Sequence, residues 1–137
     1  MKSTIKNKAF TLIELMLVIS IIGVFGYFST SIINGFFIES NLENSKAKLI
    51  NNLISSRFMA FNNGTDEIFS LYSTYYIPPG RASVELEDGV TLSPAPMVFN
   101  FNKLGGTNAP LTFYLNTVNN TIEIHINSLG RISWIMK

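Results

Sequence analysis

The chain has 137 residues, of which 47% are apolar and 14% are charged, and its mean hydropathy of +0.27 is high for a soluble domain. This length allows one modest domain, which argues against a large multi-step enzyme. The absence of cysteine excludes disulfides, thiolate nucleophiles and iron–sulfur clusters, whereas a net charge of +1 neither favours nor excludes nucleic-acid binding.

A basic segment precedes a long apolar run at the start of the chain. Lys2, Lys6 and Lys8 come before residues 10–38, in which Glu14 is the sole charged side chain. Residues 10–28, FTLIELMLVISIIGVFGYF, are close to the roughly 20 residues that cross a bilayer as a helix. The lysines predict that the N-terminal basic segment stays cytoplasmic and that the rest of the chain is exported.

Glu14 is the residue that a plain signal anchor does not explain. A carboxylate inside an apolar helix costs about 2.5–3.5 kcal/mol at the bilayer centre, so it needs a partner or a position near the interface where it stays hydrated or protonated. No small-residue cleavage site follows the apolar run, which argues against a simple secretory signal.

Residues 8–15, KAFTLIEL, resemble the prepilin signature of type IV pilins and type II secretion pseudopilins. The resemblance implies that residues 1–9 are a leader, that a membrane peptidase cuts between Ala9 and Phe10, and that Phe10 becomes N-methylated. Ala9 stands where the family usually has glycine. We expect Glu14 to neutralise the new amine of a neighbouring subunit and so to set subunit register; an amine within the same subunit is also in reach, four residues away.

Apolar residues continue beyond this run at helical spacing. They recur at intervals of three, four and seven, which predicts an amphipathic extension over residues 32–62 after a membrane-spanning part over residues 10–31. We expect one helix from about residue 10 to residue 61, ended by Asn62, Asn63 and Gly64, with one apolar stripe packed on a sheet. The residues of that stripe are Leu42, Leu49, Ile50, Leu53, Ile54, Phe58 and Phe61.

The period changes to two from about residue 67, with β-branched and aromatic residues between clusters of Pro, Gly and Asn. Six or seven short antiparallel strands are expected, and Asn119 with Asn120 is the clearest turn because asparagine tolerates positive φ. The predicted fold class is α+β, with a long N-terminal helix packed on a small antiparallel β-sheet head over residues 63–137.

Four further segments are similar to the minor pseudopilin H and FimT-type family: residues 55–60, SSRFMA; residues 99–107, FNFNKLGGT; residues 111–115, LTFYL; and residues 122–132, IEIHINSLGRI. This similarity implies a minor subunit at or near the tip of a pilus or pseudopilus. Some FimT-like relatives bind DNA through a motif in which two arginines flank one residue after a glycine. Here Gly130, Arg131, Ile132 and Ser133 supply only the first arginine. Arg131 is therefore either a DNA contact or a solvent-facing residue that opens a strand.

No other constellation indicates catalysis, a metal or a cofactor. His125 is the single histidine and lies between Ile124 and Ile126 on the polar face of an alternating strand. No nucleophile elbow accompanies it, which argues against a hydrolase triad. Glu85, Glu87 and Asp88 lack the spacing of a calcium loop and are expected in a solvated turn.

The sequence therefore predicts a non-enzymatic filament subunit in the inner membrane, with a single pass and a periplasmic head. Its expected partners are a prepilin peptidase and other pilin or pseudopilin subunits, bound through the N-terminal helix. The type II secretion pseudopilus is the leading assembly. Two alternatives stay open: a minor subunit of a type IV pilus that serves pilus assembly, adhesion or DNA uptake, and a signal-anchored domain that never assembles.

Overall fold

The computed structural model describes the backbone of residues 11–137 and the side chains of residues 11–27 and 35–137. Helix α1 spans Leu12–Asn63. The chain divides into two compact units, Met1–Phe36 and Phe37–Lys137. The predicted leader, residues 1–9, lies outside the described residues.

The first unit presents its described side chains to the surroundings. Leu12, Met16 and Phe25 are among the apolar residues that lie exposed on this part of α1. Among the described residues, no helix is both long enough and apolar enough to cross a membrane. The span predicted over residues 10–31 therefore stays a prediction.

The end of α1 follows the prediction, because Asn63 is its last residue and Gly64 adopts a φ of +65°, the left-handed conformation that glycine tolerates.

In the second unit, α1 buries one narrow face. Its positions are three or four residues apart, which keeps them on one side of an α-helix. The members of this buried face are Leu42, Ser45, Leu49, Leu53, Ser56 and Ala60, and Ile50, beside Leu49, is buried as well.

The prediction of a single packed stripe is wrong for the last three of its seven residues. Ile54, Phe58 and Phe61 are exposed. Ile54 and Phe61 each directly follow a buried residue, and one step along an α-helix rotates a side chain by about 100°. The apolar residues of α1 therefore form two faces, one packed on the head and one open.

Eight described strands form two antiparallel sheets. Sheet 1 has the order β3-β2-β1-β5 and sheet 2 the order β4-β6-β7-β8. The strands are β1 Glu67–Leu71, β2 Tyr75–Ile77, β3 Val84–Glu85, β4 Thr91–Ser93, β5 Met97–Phe101, β6 Leu111–Asn116, β7 Thr121–Ile126 and β8 Ile132–Met136.

The strand count exceeds the predicted six or seven because one predicted strand is a hairpin. Residues 68–76 read as one alternating run, but β1 ends at Leu71 and β2 begins at Tyr75. The Tyr72 N–H donates to the Tyr75 carbonyl at 2.8 Å and closes the turn between them. The buried positions shift by one residue across this turn, since Phe69 and Leu71 are buried before it and Tyr76 is buried after it. The turn contains no glycine, proline or asparagine, so the sequence does not mark it.

The predicted turn at Asn119 and Asn120 joins β6 to β7, but its expected cause is wrong. No described residue other than glycine has a positive φ. Thr117 holds the loop instead: its N–H donates to the Asn120 carbonyl at 2.8 Å, and its Oγ1 accepts the Asn120 N–H at 3.1 Å.

Both sheets and the buried face of α1 share one core. The ring of Phe99 on β5 stacks with Phe69 on β1 at 5.5 Å and faces Phe113 on β6 at 6.5 Å between centroids. Phe99 thus connects sheet 1 to sheet 2. Leu49 and Leu53 of α1 belong to the same buried cluster, so the helix contributes directly to the hydrophobic stabilisation of the head.

Candidate functional site

Residues 11–14 form a cap at the start of α1. The Thr11 N–H and hydroxyl donate to Glu14 Oε2 at 2.9 and 3.0 Å, and the Glu14 N–H donates to Thr11 Oγ1 at 3.3 Å. The Thr11 carbonyl accepts the first helical bond from the Leu15 N–H at 3.2 Å. This reciprocal arrangement is a capping box, in which a threonine at the N-cap and a glutamate three residues later satisfy each other's backbone donors.

Glu14 therefore has a local structural partner in addition to the intersubunit partner that the sequence suggested. The Thr-x-x-Glu spacing of a capping box is visible in the sequence at Thr11 and Glu14. Ala9 and Phe10, the predicted cleavage and methylation positions, lie outside the described residues.

Three of the four segments that carry the resemblance to minor pseudopilins meet at Arg57. The Arg57 Nε donates to the Gly105 carbonyl at 3.0 Å, and Nη2 donates to the Leu129 carbonyl at 3.3 Å. Gly105 lies in the turn after β5 of sheet 1, and Leu129 lies in the turn between β7 and β8 of sheet 2. One guanidinium on α1 thus holds a turn from each sheet.

Arg57 was not among the predicted site residues. It is the single charged residue between positions 49 and 61, within a run of apolar and small polar residues. A lone cation on an otherwise uncharged helical segment was the signal that could have found it, because its five donors require acceptors that the helix itself does not offer.

Glycines allow the two turns to approach each other beneath Arg57. Gly130 has a φ of +75°, and a Cβ placed on it would lie 1.9 Å from the Gly105 carbonyl oxygen and 2.9 Å from Arg57 Nε. A Cβ on Gly106 would lie 2.5 Å from the Ser128 carbonyl oxygen. These distances exclude a side chain at either position without movement of the backbone, so the glycines of both segments serve close packing of the turns.

An exposed apolar surface lies beside this junction. Phe58 is 65% exposed and Leu104 is 76% exposed, although both are large and apolar. With Arg57 and Gly105 they border an open groove of about 380 Å³, whose remaining lining residues are Ile54 and Phe61. We name Ile54, Phe58, Phe61 and Leu104 the helix patch. Large apolar side chains exposed side by side are a common feature of surfaces that meet another protein.

A second polar contact ties α1 to sheet 1 through Asn52. Its Nδ2 donates to the Tyr76 hydroxyl at 2.9 Å, and its Oδ1 accepts from Arg81 Nη1 at 3.1 Å. Arg81 Nη2 also donates to Ser55 Oγ at 3.1 Å. Burial raises the pKa of the Tyr76 phenol because it disfavours the phenolate, and the hydrogen bond from Asn52 opposes this shift in part.

Two further residues considered in the sequence, Arg131 and His125, are both exposed. Arg131 is exposed, directly precedes β8, and donates its N–H to Asn127 Oδ1 at 2.8 Å. His125 is exposed on β7, with Nδ1 at 3.1 Å from Thr112 Oγ1. Within the part of the chain that the structure describes, no group of three or more His, Asp or Glu side chains could hold a metal ion.

Comparison with known proteins identifies the N-terminal segment. Residues 5–26 match the family model of the prokaryotic N-terminal methylation motif. Neither a curated protein nor a solved structure is significantly similar to the chain.

The chain thus carries a type IV prepilin-like N-terminal segment, followed by a long helix packed on antiparallel sheets in the manner of a pilin. A segment of this type indicates a structural subunit that a prepilin peptidase processes and that assembles with other pilins, rather than an enzyme. It also suggests anchoring in the inner membrane before assembly into a pilus.

Proposed function

We propose that this protein is a minor pseudopilin, assembled at or near the tip of a type II secretion pseudopilus, with a structural role in protein export. The observation that carries the proposal is the methylation motif at residues 5–26, which leads into a helix whose second half packs on a β-rich head. A membrane-anchored filament subunit needs both features.

Each segment then has a defined role. Residues 1–9 are the leader, cleavage falls between Ala9 and Phe10, and Phe10 is N-methylated. Residues 10–31 anchor the protein in the inner membrane and later pack in the filament. Residues 32–62 extend the helix into the head, and residues 63–137 form a periplasmic head that selects partners.

The convergence on Arg57 supports a minor pseudopilin in particular. Three of the four segments similar to the pseudopilin H and FimT-type family are distant in the sequence, yet Arg57 in one of them contacts the other two through Gly105 and Leu129. A shared structural junction is a physical reason for these segments to occur together in one chain.

We further propose that the Glu14 carboxylate has two consecutive partners. Before assembly it accepts from Thr11 within the capping box; in the filament it neutralises the methylated amine of a neighbour's Phe10, which removes the cost of a buried charge. Glu14→Gln separates these roles, because glutamine also completes a capping box but carries no charge.

Crosslinking of filament subunits tests the role of Glu14. We expect Glu14→Gln and Glu14→Leu to be lost from filaments alike, whereas Thr11→Ala lowers incorporation only in part. Incorporation of Glu14→Gln at the wild-type level would contradict the charge-pairing role, and the capping box would then be the remaining role of Glu14. Incorporation of Glu14→Leu at that level would contradict both.

Two measurements test the function itself. The mass of the membrane-extracted protein should correspond to a chain that begins at N-methylated Phe10, whereas a retained Met1 would indicate a signal-anchored domain that never assembles. A complemented gene deletion should retain exoproteins in the cell while surface pili stay intact.

The second candidate is a minor pilin of a type IV pilus that takes part in DNA uptake. It is favoured by Arg131, which is exposed and forms no salt bridge with any carboxylate in the described part of the chain. The same deletion would then abolish pili or transformation while secretion stays normal. Purified protein would shift the mobility of duplex DNA in a salt-dependent manner, and Arg131→Ala would weaken that shift.

A further inference from the structure

Strand β8 is an edge of sheet 2 that leaves one row of backbone groups open. It pairs with β7 on one side only, since sheet 2 has the order β4-β6-β7-β8. Its five residues, Ile132–Met136, contain neither a charge nor a proline. Charges, prolines and coverage by other elements are the usual means by which proteins protect an edge strand from pairing, and the first two are absent within β8.

The hydrogen-bond register identifies which residues face outward. Lys137 and Thr121 exchange backbone hydrogen bonds, and the Asn127 N–H donates to the Arg131 carbonyl. In an antiparallel pair such bonded positions alternate with positions whose N–H and C=O point away. The outward groups of β8 are therefore those of Ile132, Trp134 and Met136.

The same three residues also present an uncovered part of the core layer. They pair with Ile126, Ile124 and Ile122 of β7, which are fully buried, so their side chains lie on the core face of sheet 2. Nevertheless Trp134 is 50% exposed and Met136 is 49% exposed. The apolar layer thus continues onto β8 with only partial cover.

Charge argues against a second copy of this chain at the edge. Full antiparallel pairing of two β8 strands aligns Trp134 with its counterpart and places Arg131 opposite Lys137 at both ends. Like charges directly opposite destabilise a strand pair. Lys137 already forms a salt bridge with Glu123, whereas Arg131 forms none among the described residues. Arg131 therefore favours an acidic residue opposite it.

We propose that β8 is a β-augmentation site for a partner polypeptide, which adds an antiparallel strand to sheet 2. The partner segment is extended, places apolar residues opposite Ile132, Trp134 and Met136, and places a carboxylate opposite Arg131. Main-chain hydrogen bonds supply affinity, and the alternating side chains and the terminal acid supply specificity. This surface belongs to the head alone and does not depend on the identity of the secretion or pilus system.

A designed peptide tests the site directly. Acetyl-Thr-Val-Thr-Val-Thr-Val-Glu-amide, paired antiparallel, places its valines opposite the three outward residues and its glutamate opposite Arg131. Trp134 is the single tryptophan of the chain and reports binding through its emission. With full-length protein in detergent, we expect a saturable shift and binding about fivefold tighter than that of the same peptide ending in lysine.

Two N-methylated peptides provide the matched control. Methylation of the valine nitrogens removes the N–H groups that point at β8 and should abolish binding, whereas methylation of the internal threonine nitrogens, which point away, should preserve it. Equal binding of the two, or no saturable shift with the unmodified peptide, would overturn the proposal.

Variants of the protein test the same contacts from the other side. Arg131→Glu should reverse the preference, so that the lysine peptide binds more tightly. Met136→Pro removes an outward N–H that β7 does not use, and should weaken binding at least tenfold while circular dichroism stays unchanged. A Trp134 shift that depends on protein concentration without peptide would instead show that a second copy occupies the edge, and would refute the assignment.

Discussion

Arg57 on α1 donates from Nε to the carbonyl oxygen of Gly105 at 3.0 Å, although the two residues are far apart in the sequence. Because the same guanidinium also reaches the Leu129 carbonyl at 3.3 Å, the position of the turn after β5 is coupled to that of the turn before β8. Leu104 of the helix patch directly precedes Gly105, and Arg131 lies two residues after Leu129. The hydrogen bonds of Arg57 therefore hold the backbone next to both surfaces through which the head could meet partners.

Replacement of Arg57 should destabilise the head. Arg57→Ala removes two hydrogen bonds to carbonyl groups, and we expect the free energy of unfolding to fall by about 1–2 kcal/mol. Arg57→Lys should recover only part of this, since an ammonium lacks the fork that reaches both carbonyls. Urea unfolding followed by circular dichroism measures the change, and Arg131→Ala serves as a control with an expected change below about 0.5 kcal/mol. An equal loss in the control would contradict a specific role for Arg57.

Gly130 should be far less tolerant of alanine than a glycine of similar conformation elsewhere. A Cβ on Gly130 would lie 1.9 Å from the Gly105 carbonyl oxygen, whereas a Cβ on Gly89, at a φ of +81°, would meet nothing within 4 Å. Both variants carry the backbone strain of a left-handed alanine. We expect Gly130→Ala to cost about 1–3 kcal/mol more in the free energy of unfolding than Gly89→Ala, because only the former overpacks the junction. Similar losses would show that the turns can separate freely.

Part of the fold could be predicted because the relevant signals are local. The end of α1 at Asn63 and Gly64, the α+β class and the β6–β7 hairpin each follow from residues adjacent in the sequence. The division into two sheets could not be predicted, because alternation states that a strand has a buried face but not which strand lies beside it. Likewise the turn that begins at Tyr72 contains no glycine, proline or asparagine, so no local signal separates β1 from β2.

The candidate site shows the same division between local and long-range information. Glu14 was identified from its unusual place in an apolar run, and its bond to Thr11 was predictable from spacing alone. The contacts of Arg57 were not, since its acceptors are backbone carbonyls that any residue could supply. The sequence offered four separate segments of family resemblance, and only the tertiary structure shows that three of them meet at Arg57.

Leu53 and Ile54 should respond differently to truncation despite being neighbours in the same predicted stripe. Leu53 is fully buried in the shared core, whereas Ile54 is 52% exposed on the helix patch. Leu53→Ala should lower the free energy of unfolding by about 2–5 kcal/mol, because it removes buried methyl groups and leaves a cavity. Ile54→Ala should cost less than about 1 kcal/mol. Denaturant unfolding of the two variants checks the assignment of the two faces. Comparable losses in the free energy of unfolding would instead support a single packed stripe.

Tyr76 should make the stability of the head sensitive to alkaline pH. Its folded-state pKa is raised by burial, so the phenol ionises more readily in the unfolded chain, whose pKa is about 10. The stabilisation from a neutral Tyr76 is therefore complete below about pH 10 and is lost as the pH rises toward the folded-state pKa.

Tyr76→Phe removes this ionisation together with the hydrogen bond to Asn52. At neutral pH the variant should be less stable than the wild type by about 1 kcal/mol, and the difference should narrow as the pH rises above about 10 because only the wild type retains the Tyr76 ionisation. Urea midpoints measured across this range follow the effect. Tyr72→Phe, which alters a ring outside the buried core, serves as the control variant. A constant difference between wild type and Tyr76→Phe at every pH would mean that the phenol ionises alike in both states, and would contradict the burial of Tyr76 as the cause.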